Sequence, residues 1–297
     1  YRRGWFALLC LCLSMPFALS GETRRQPSAA AAPATPGRVV VLDLNVLDTI
    51  DALGITDVKL AAPKQALPPY LAKYKSAAVE DAGGIRDPNL ERIYEFQPDL
   101  IFISGRQTDY YEKLSAIAPT ILSTIDFKDY RAGFKRCVLT VGDAFKARGQ
   151  AEALADALLA RADLVAEKAV AGGKAGLVVM VNDGAVSAYG PGSRFGVIHD
   201  VFGVRPADAG IQASLHGQSV DFEYISRIDP DILFVINRNV AIGRNAVTTV
   251  LDNELVSNTR AGRNGKIVHL DSAVWYLSGS GLKSFEIMLG EIDGALD

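Results

Sequence analysis

Cysteine is nearly absent, with three among 297 residues. Cys10 and Cys12 fall in an apolar leader, so Cys137 alone follows it, which excludes an internal disulfide or a cysteine-based metal site in the exported form. Runs of Lys or Arg are also missing, and a net charge of −3 argues against nucleic acid as a partner. Three histidines, none in a histidine-rich loop, disfavour direct capture of zinc or manganese. There is no nucleophile elbow, no HExxH pair and no phosphate loop, so an enzyme is not expected. The apolar run over residues 5–13 is too short to span a bilayer.

What is present begins with an address. Arg2 and Arg3, then residues 5–13, then Ala18-Leu19-Ser20, follow the order of an export signal, predicting a signal peptide over residues 1–20 cleaved near Ser20. Its loss changes the net charge from −3 to −5, a solubility statement only. Neither Cys10 nor Cys12 stands where a lipoprotein cysteine follows its apolar region, so a soluble periplasmic location is expected. Residues 21–37, rich in Ala and Pro without periodicity, predict a flexible tether.

The rest is organised around one repeated stretch. ERIYEFQPDLIFISGR, residues 91–106, returns 132 positions later as EYISRIDPDILFVINR, residues 223–238. Without a gap the copies share Glu91/Glu223, Ile93/Ile225, Pro98/Pro230, Asp99/Asp231, Phe102/Phe234 and Arg106/Arg238. Each predicts a short amphipathic helix stopped by proline, then a strand, then an arginine. LIFIS and ILFVI are too continuously apolar for strands with one wet face, and suit a parallel sheet covered on both sides. Ligands of such sheets collect at the carboxyl ends of the strands, where both arginines fall.

A second echo pairs VLDTIDALGI with FGVIHDVFGV, so that Asp51-Ala-Leu-Gly54 matches Asp200-Val-Phe-Gly203. The expected fold is α/β: two Rossmann-like lobes with parallel-rich sheets, joined by a long rigid backbone helix, with a ligand cleft between them. The lobes are placed at 38–128 and 174–297, with connecting helices over 129–173. Predicted helices cover 130–145, 150–171 and 246–253, with a closing helix from Ser280. Residues 64–76 are expected to be a loop, and Ser193 to cap the helix after it.

Two lobes, a helical connector and cleft-facing arginines resemble the helical-backbone class of periplasmic substrate-binding proteins that serve ABC importers. The pieces SGRQ (104–107), GPGSRFGVIHD (190–200), LHGQSVDFEYI (215–225), INR (236–238) and VWYLSGSG (274–281) most resemble the binders of tetradentate ferric catecholate siderophores, including hydrolysis products of enterobactin. The resemblance implies a basic floor of Arg106, Arg194 and Arg238, with His216 and Tyr276 completing the iron shell. It also implies permease docking through Glu91 and Glu223, a monomer, and no intrinsic cofactor, ferric iron being bound as the siderophore complex. Lys64 and the other loop lysines do not align clearly enough to be assigned.

Bland readings stand beside these. From the residues alone His216 suits a ligand or an ordinary loop histidine, Tyr276 suits a core aromatic, and Arg194 suits a surface charge at a helix start. His199 and His269 are taken as ordinary core or surface groups, and Cys137 as a small buried apolar residue. Alternative functions are a carrier of another anionic iron chelate or corrinoid, and a periplasmic metalloenzyme using His216 and Asp221.

The chemistry fits the resemblance. Two catecholates give ferric iron four oxygen donors and leave a complex of net charge −1. An imidazole and a phenolate would fill the two remaining positions, the metal displacing the phenol proton. Guanidinium groups suit catecholate oxygens and rings through charge-assisted hydrogen bonds and stacking.

Overall fold

The computed structural model describes residue 1, residues 35–244 and residues 250–297. Residues 2–20 of the expected signal peptide and most of the expected tether lie outside the described residues.

The first sheet is built from β1 (Arg38–Val41), β2 (Lys59–Ala62), β3 (Glu80–Asp81), β4 (Leu100–Ile103) and β5 (Thr120–Leu122). Its order is β3-β2-β1-β4-β5 and every pairing is parallel. All four residues of β4 are buried, as a strand covered on both faces requires. Helix α1 (Leu44–Ala52) starts where Asp43 accepts from the Asn45 amide, and Gly54, at φ 68°, turns the chain away. The stretch over 64–76 is not simply a loop. Pro69–Lys75 forms a 3-10 helix, started by the preset φ of proline and anchored by buried Leu71 and Tyr74.

The repeat is visible in the backbone. Helix α2 (Leu90–Phe96) and its counterpart in the second lobe (Phe222–Ile228) are capped by the side chains of Asn89 and Asp221. Both end in a left-handed residue, Gln97 at φ 50° and Asp229 at φ 49°. The proline that follows Gln97 or Asp229 disfavours the right-handed helical region there, so a helix cannot continue. The shared aspartates do the same work: Asp99 accepts from the amides of Gly37 and Arg38, and Asp231 from that of Ala175, stapling each repeat to the first strand of its sheet.

After α3 (Tyr111–Ser115), α4 (Tyr130–Ala144) and the 25-residue α5 (Arg148–Gly172) run between the sheets. At 1.5 Å per residue α5 spans roughly 37 Å. Arg131–Asp163 and Lys135–Asp156 ion pairs lace α4 to it, and Gly173 ends it at φ 64°.

The second sheet contains β6 (Ala175–Asn182), β7 (Ala185–Tyr189), β8 (Arg205–Pro206), β9 (Gln218–Val220), β10 (Ile232–Asn237) and β11 (Ile267–His269). Its order is β11-β10-β6-β7-β9, with β8 on β6; β7 is antiparallel to both neighbours and the other pairings are parallel. The helices here are α6 (Val197–Asp200), α7 (Phe222–Ile228), α8 (Arg238–Ala241), α9 (Glu254–Ser257), α10 (Arg260–Arg263) and α11 (Leu282–Leu296).

One further expectation changes. Ser193 does not cap α6; its hydroxyl donates to the Gly190 carbonyl instead, and Gly196 precedes the helix. The helix expected over 246–253 falls largely outside the described residues, and helical turns are found over Glu254–Ser257 and Arg260–Arg263. The closing helix is preceded by a π-helical turn, Val274–Ser278. Ala32–Asp297 form one compact unit, and one apolar core contains Val39 and Phe102 of the first sheet, Val178 and Phe234 of the second, and Phe285 of α11.

Candidate ligand-binding site

The repeated arginines sit where each buried strand gives way to a helical turn. Ser104 follows β4 and caps the turn holding Arg106, its hydroxyl accepting from the Arg106 amide at 3.2 Å. Asn237 ends β10 and caps α8, whose first residue is Arg238. Both side chains therefore leave the carboxyl end of a strand with a parallel neighbour on each side.

They meet at one tyrosine. The Arg106 guanidinium donates to the Tyr276 carbonyl at 2.6 Å, and that of Arg194 to the same oxygen at 2.7 Å. The two donor nitrogens are thus no farther apart than those lengths laid end to end. Arg194 also lies over the Tyr276 ring, 4.2 Å from its centroid. Arg238 donates to the Tyr276 hydroxyl at 2.9 Å and to the Asn182 side chain at 2.8 Å. Three cations from separate segments are gathered on one tyrosine, two at its carbonyl and one at its hydroxyl, each only partly exposed.

Gathering them has electrostatic consequences. Burial, then the charge of Arg194, lowers the Arg106 pKa to about 10. Burial likewise lowers that of Arg194, against the pull of Tyr276. For Tyr276 burial acts upward, but the Arg238 hydrogen bond and the charges of Arg194 and Arg238 outweigh it, leaving the phenol below its ordinary value. Such a site favours an anion, which relieves the repulsion among the guanidinium groups and gives each a partner.

His216 stands apart from this contact set. Its loop is anchored beside Arg194: the Arg194 amide donates to the Ser214 carbonyl at 3.3 Å, and the Tyr189 hydroxyl to the His216 carbonyl at 2.9 Å. The residue is exposed, and its ring makes no hydrogen bond among the described residues. His199, by contrast, is held by the Val204 carbonyl at 2.8 Å, and burial lowers its pKa. Glu91 and Glu223 occupy the exposed first turns of α2 and α7. Among the described residues no three His, Cys, Asp or Glu side chains form a metal-holding group.

Sequence reasoning missed two charged neighbours. Asp43 is buried and its carboxyl is pushed up by burial, while the Asn45 amide and the Arg106 charge draw it down. On balance burial leaves that carboxyl above its ordinary range, and in sequence it reads only as the cap of α1. Arg86 is exposed, and its charge helps to lower both Arg106 and Arg194. Its loop is held by Gln107, whose amide nitrogen donates to the Ile85 carbonyl while its oxygen accepts from the Ser104 amide at 2.8 Å. The Gly83-Gly84 pair before it was the available signal.

A cavity of about 320 Å³ lies elsewhere, lined by Arg38, Glu80, Asp81, Arg92 and Phe96 among others. Its charges are spent locally, Arg92 on Asp81 at 2.9 Å and Arg38 on the Phe96 carbonyl at 2.7 Å. The converging arginines differ in that three of them share one residue, Tyr276, and none forms an ion pair among the described residues.

The periplasmic binding protein signature matches residues 39–274. The chain belongs to that family. The petrobactin-binding protein YclQ of Bacillus subtilis (strain 168) is 46% identical over 269 residues, covering 89% of this chain and 84% of that one. The ferric-anguibactin-binding protein FatB of Vibrio anguillarum (strain ATCC 68554 / 775) is 34% identical, covering 86% and 81%. The crystal structure of the periplasmic catecholate-siderophore binding protein VctP from Vibrio cholerae superposes with a TM-score of 0.81 at 32% identity, covering 88% and 94%. The fold is that of the helical-backbone binding proteins, and the family consists of binding proteins rather than enzymes.

Proposed function

We propose that this protein is an exported carrier that captures a ferric siderophore complex and delivers it to an ABC importer. The observation that carries the reading is the convergence of Arg106, Arg194 and Arg238 on Tyr276. A metal-free neutral ligand would leave three clustered cations unpaired. A ferric bis-catecholate brings one net negative charge and oxygen atoms on flat rings, suited to guanidinium groups that both donate and stack. Relatives named for petrobactin, ferric anguibactin and catecholate siderophores support that class.

The finer reading is a tetradentate catecholate. Iron then keeps two open positions, for the Tyr276 phenolate and the His216 imidazole. A phenol already held below its ordinary pKa releases its proton to a metal more readily. The exposed His216 ring has no protein partner to give up among the described residues, which suits a group that swings onto bound iron.

Adding a ferric bis-catecholate should produce a visible charge-transfer band. Tyr276→Phe is expected to shift that band and to weaken tetradentate complexes by about tenfold or more while leaving hexadentate ones nearly unchanged, the loss of one charge-assisted contact. His216→Ala should weaken the same tetradentate complexes selectively. An unmoved spectrum in Tyr276→Phe refutes iron ligation by that residue.

Glu91 and Glu223, one per lobe and equivalent in the repeat, are proposed to dock on cationic residues of the permease. Reversing both charges should slow uptake of the ferric complex several-fold in cells expressing the importer; an unchanged uptake rate would remove them from the docking surface.

A further inference from the structure

Tyr276 lies late in the chain, yet the segment after it is fastened to the first lobe. Residues 278–284 run across the start of α1. Asn45 on α1 accepts from the Ser280 amide at 2.8 Å. One turn later Asp48 accepts from the Lys283 amide at 2.7 Å and the Ser284 amide at 2.7 Å. These are free amides in the first turn of α11, so Asp48 caps that helix from another helix, its charge opposite the positive end of the dipole. The Tyr70 hydroxyl donates to Asp48 at 2.8 Å and lies 3.0 Å from the Ser278 hydroxyl. Tyr130 donates to the Gly279 carbonyl.

The fit leaves no room. Asp48 is fully buried, and a Cβ on Gly281 would meet its Cγ at 2.4 Å. Burial pushes the Asp48 carboxyl up, while Ser284, Lys283 and Tyr70 all donate to it and draw it down. No role so far given to the site uses this carboxylate. Nevertheless it holds the stretch that begins two residues after Tyr276.

We propose that Asp48 is a positioning residue for the binding site. By seating the first turn of α11 on α1, it sets where Tyr276 stands relative to Arg106 of the first lobe and to Arg194 and Arg238 of the second. Tyr276 then moves with the first lobe, although it follows the second lobe's strands in sequence. The inference rests on Tyr276 being a ligand-binding residue, but its mechanical content is separate.

The separation makes a test available. Trp5 and Trp275 are the two tryptophans, and the exported chain keeps only Trp275, beside Tyr276. Its emission therefore reports on the π-helical turn without any ligand. Asp48→Asn keeps the shape but turns one acceptor into a donor facing a donor, the cost of an unmet buried group. In the exported chain it should shift Trp275 emission. It should also move the ferric bis-catecholate charge-transfer band in the direction of Tyr276→Phe, and weaken that complex about tenfold while a hexadentate complex changes less than about twofold. Tyr70→Phe, a milder removal of one donor, should move the same readouts in the same direction by less, and decides the matter if Asp48→Asn does not fold.

A lowered melting temperature with unmoved emission and an unmoved band overturns the proposal, since a purely structural role predicts that pattern. If Tyr276→Phe leaves the band unchanged, the iron-ligand reading fails. The emission shift then still judges whether Asp48 places the turn.

Discussion

Arg106→Met is expected to weaken binding of a ferric bis-catecholate by about a hundredfold, one of the two largest effects foreseen here. Arg106 gives a charge-assisted hydrogen bond, worth about 1.5–3 kcal/mol when its partner is charged. It also gives a through-space attraction of ~4 kcal/mol at ~4 Å and an effective dielectric of ~20, before desolvation is subtracted. Part of the desolvation is met in folding, because Arg106 is already partly buried in the free protein. The ligand therefore collects more of the Coulomb attraction than it would from a surface arginine. Methionine keeps the apolar length of the stem and removes only the charge and the donors. Equilibrium titration by Trp275 fluorescence measures the change. A loss below about threefold would mean that the floor does not select anionic complexes, and would undo the proposed function.

The same substitution should cost progressively less as the complex loses negative charge. That trend discriminates an electrostatic floor from a shape filter, in which all ligands of one size would suffer alike. Raising salt should weaken the native protein's binding only modestly, because partly buried pairs are screened less than exposed ones.

How much of this was legible in sequence follows from the range of the interactions. The repeat was legible because its chemistry is local. Asn89 and Asp221 each accept from the amide three residues on, Gln97 and Asp229 precede proline, and apolar β4 and β10 need no distant partner to be read as buried strands. Arg106 and Arg238 were found by their place in that repeat. Arg194 and Tyr276 came from a resemblance, since neither carries a local signal. What sequence hid is long-range. Asp48 meets Ser284 across 236 positions, and Tyr70 meets Ser278 across 208. Ser193 is the local exception: its hydroxyl donates to the Gly190 carbonyl, a competition between neighbouring backbone groups that composition does not decide. Arg86 itself carries no local signal either, since its effect on Arg106 and Arg194 is through space.

Phe285→Ala should destabilise the protein by about 3–5 kcal/mol, the range for removing a fully buried phenylalanine. Phe285 is wholly buried on α11. Its ring stacks 4.5 Å from Phe134 of α4, and lies 5.5 Å from Phe202 of the second lobe and 6.1 Å from Tyr130. The aromatic cluster thus joins the connecting helices, the second lobe and the last helix, while α11 reaches the first lobe through Asp48. Lobes that share such a core cannot part widely without exposing it, at roughly 25 cal/mol for each Å² of apolar surface. Loading and release are therefore expected to proceed by small tilts about α4, α5 and α11 rather than by a wide hinge. Urea unfolding monitored by both Trp275 emission and far-ultraviolet circular dichroism should give one coincident transition in the native protein, shifted to lower urea in Phe285→Ala with its slope kept. Two separated transitions in the native protein would show lobes that unfold independently, and with them a cleft free to open far more than the shared aromatic core permits.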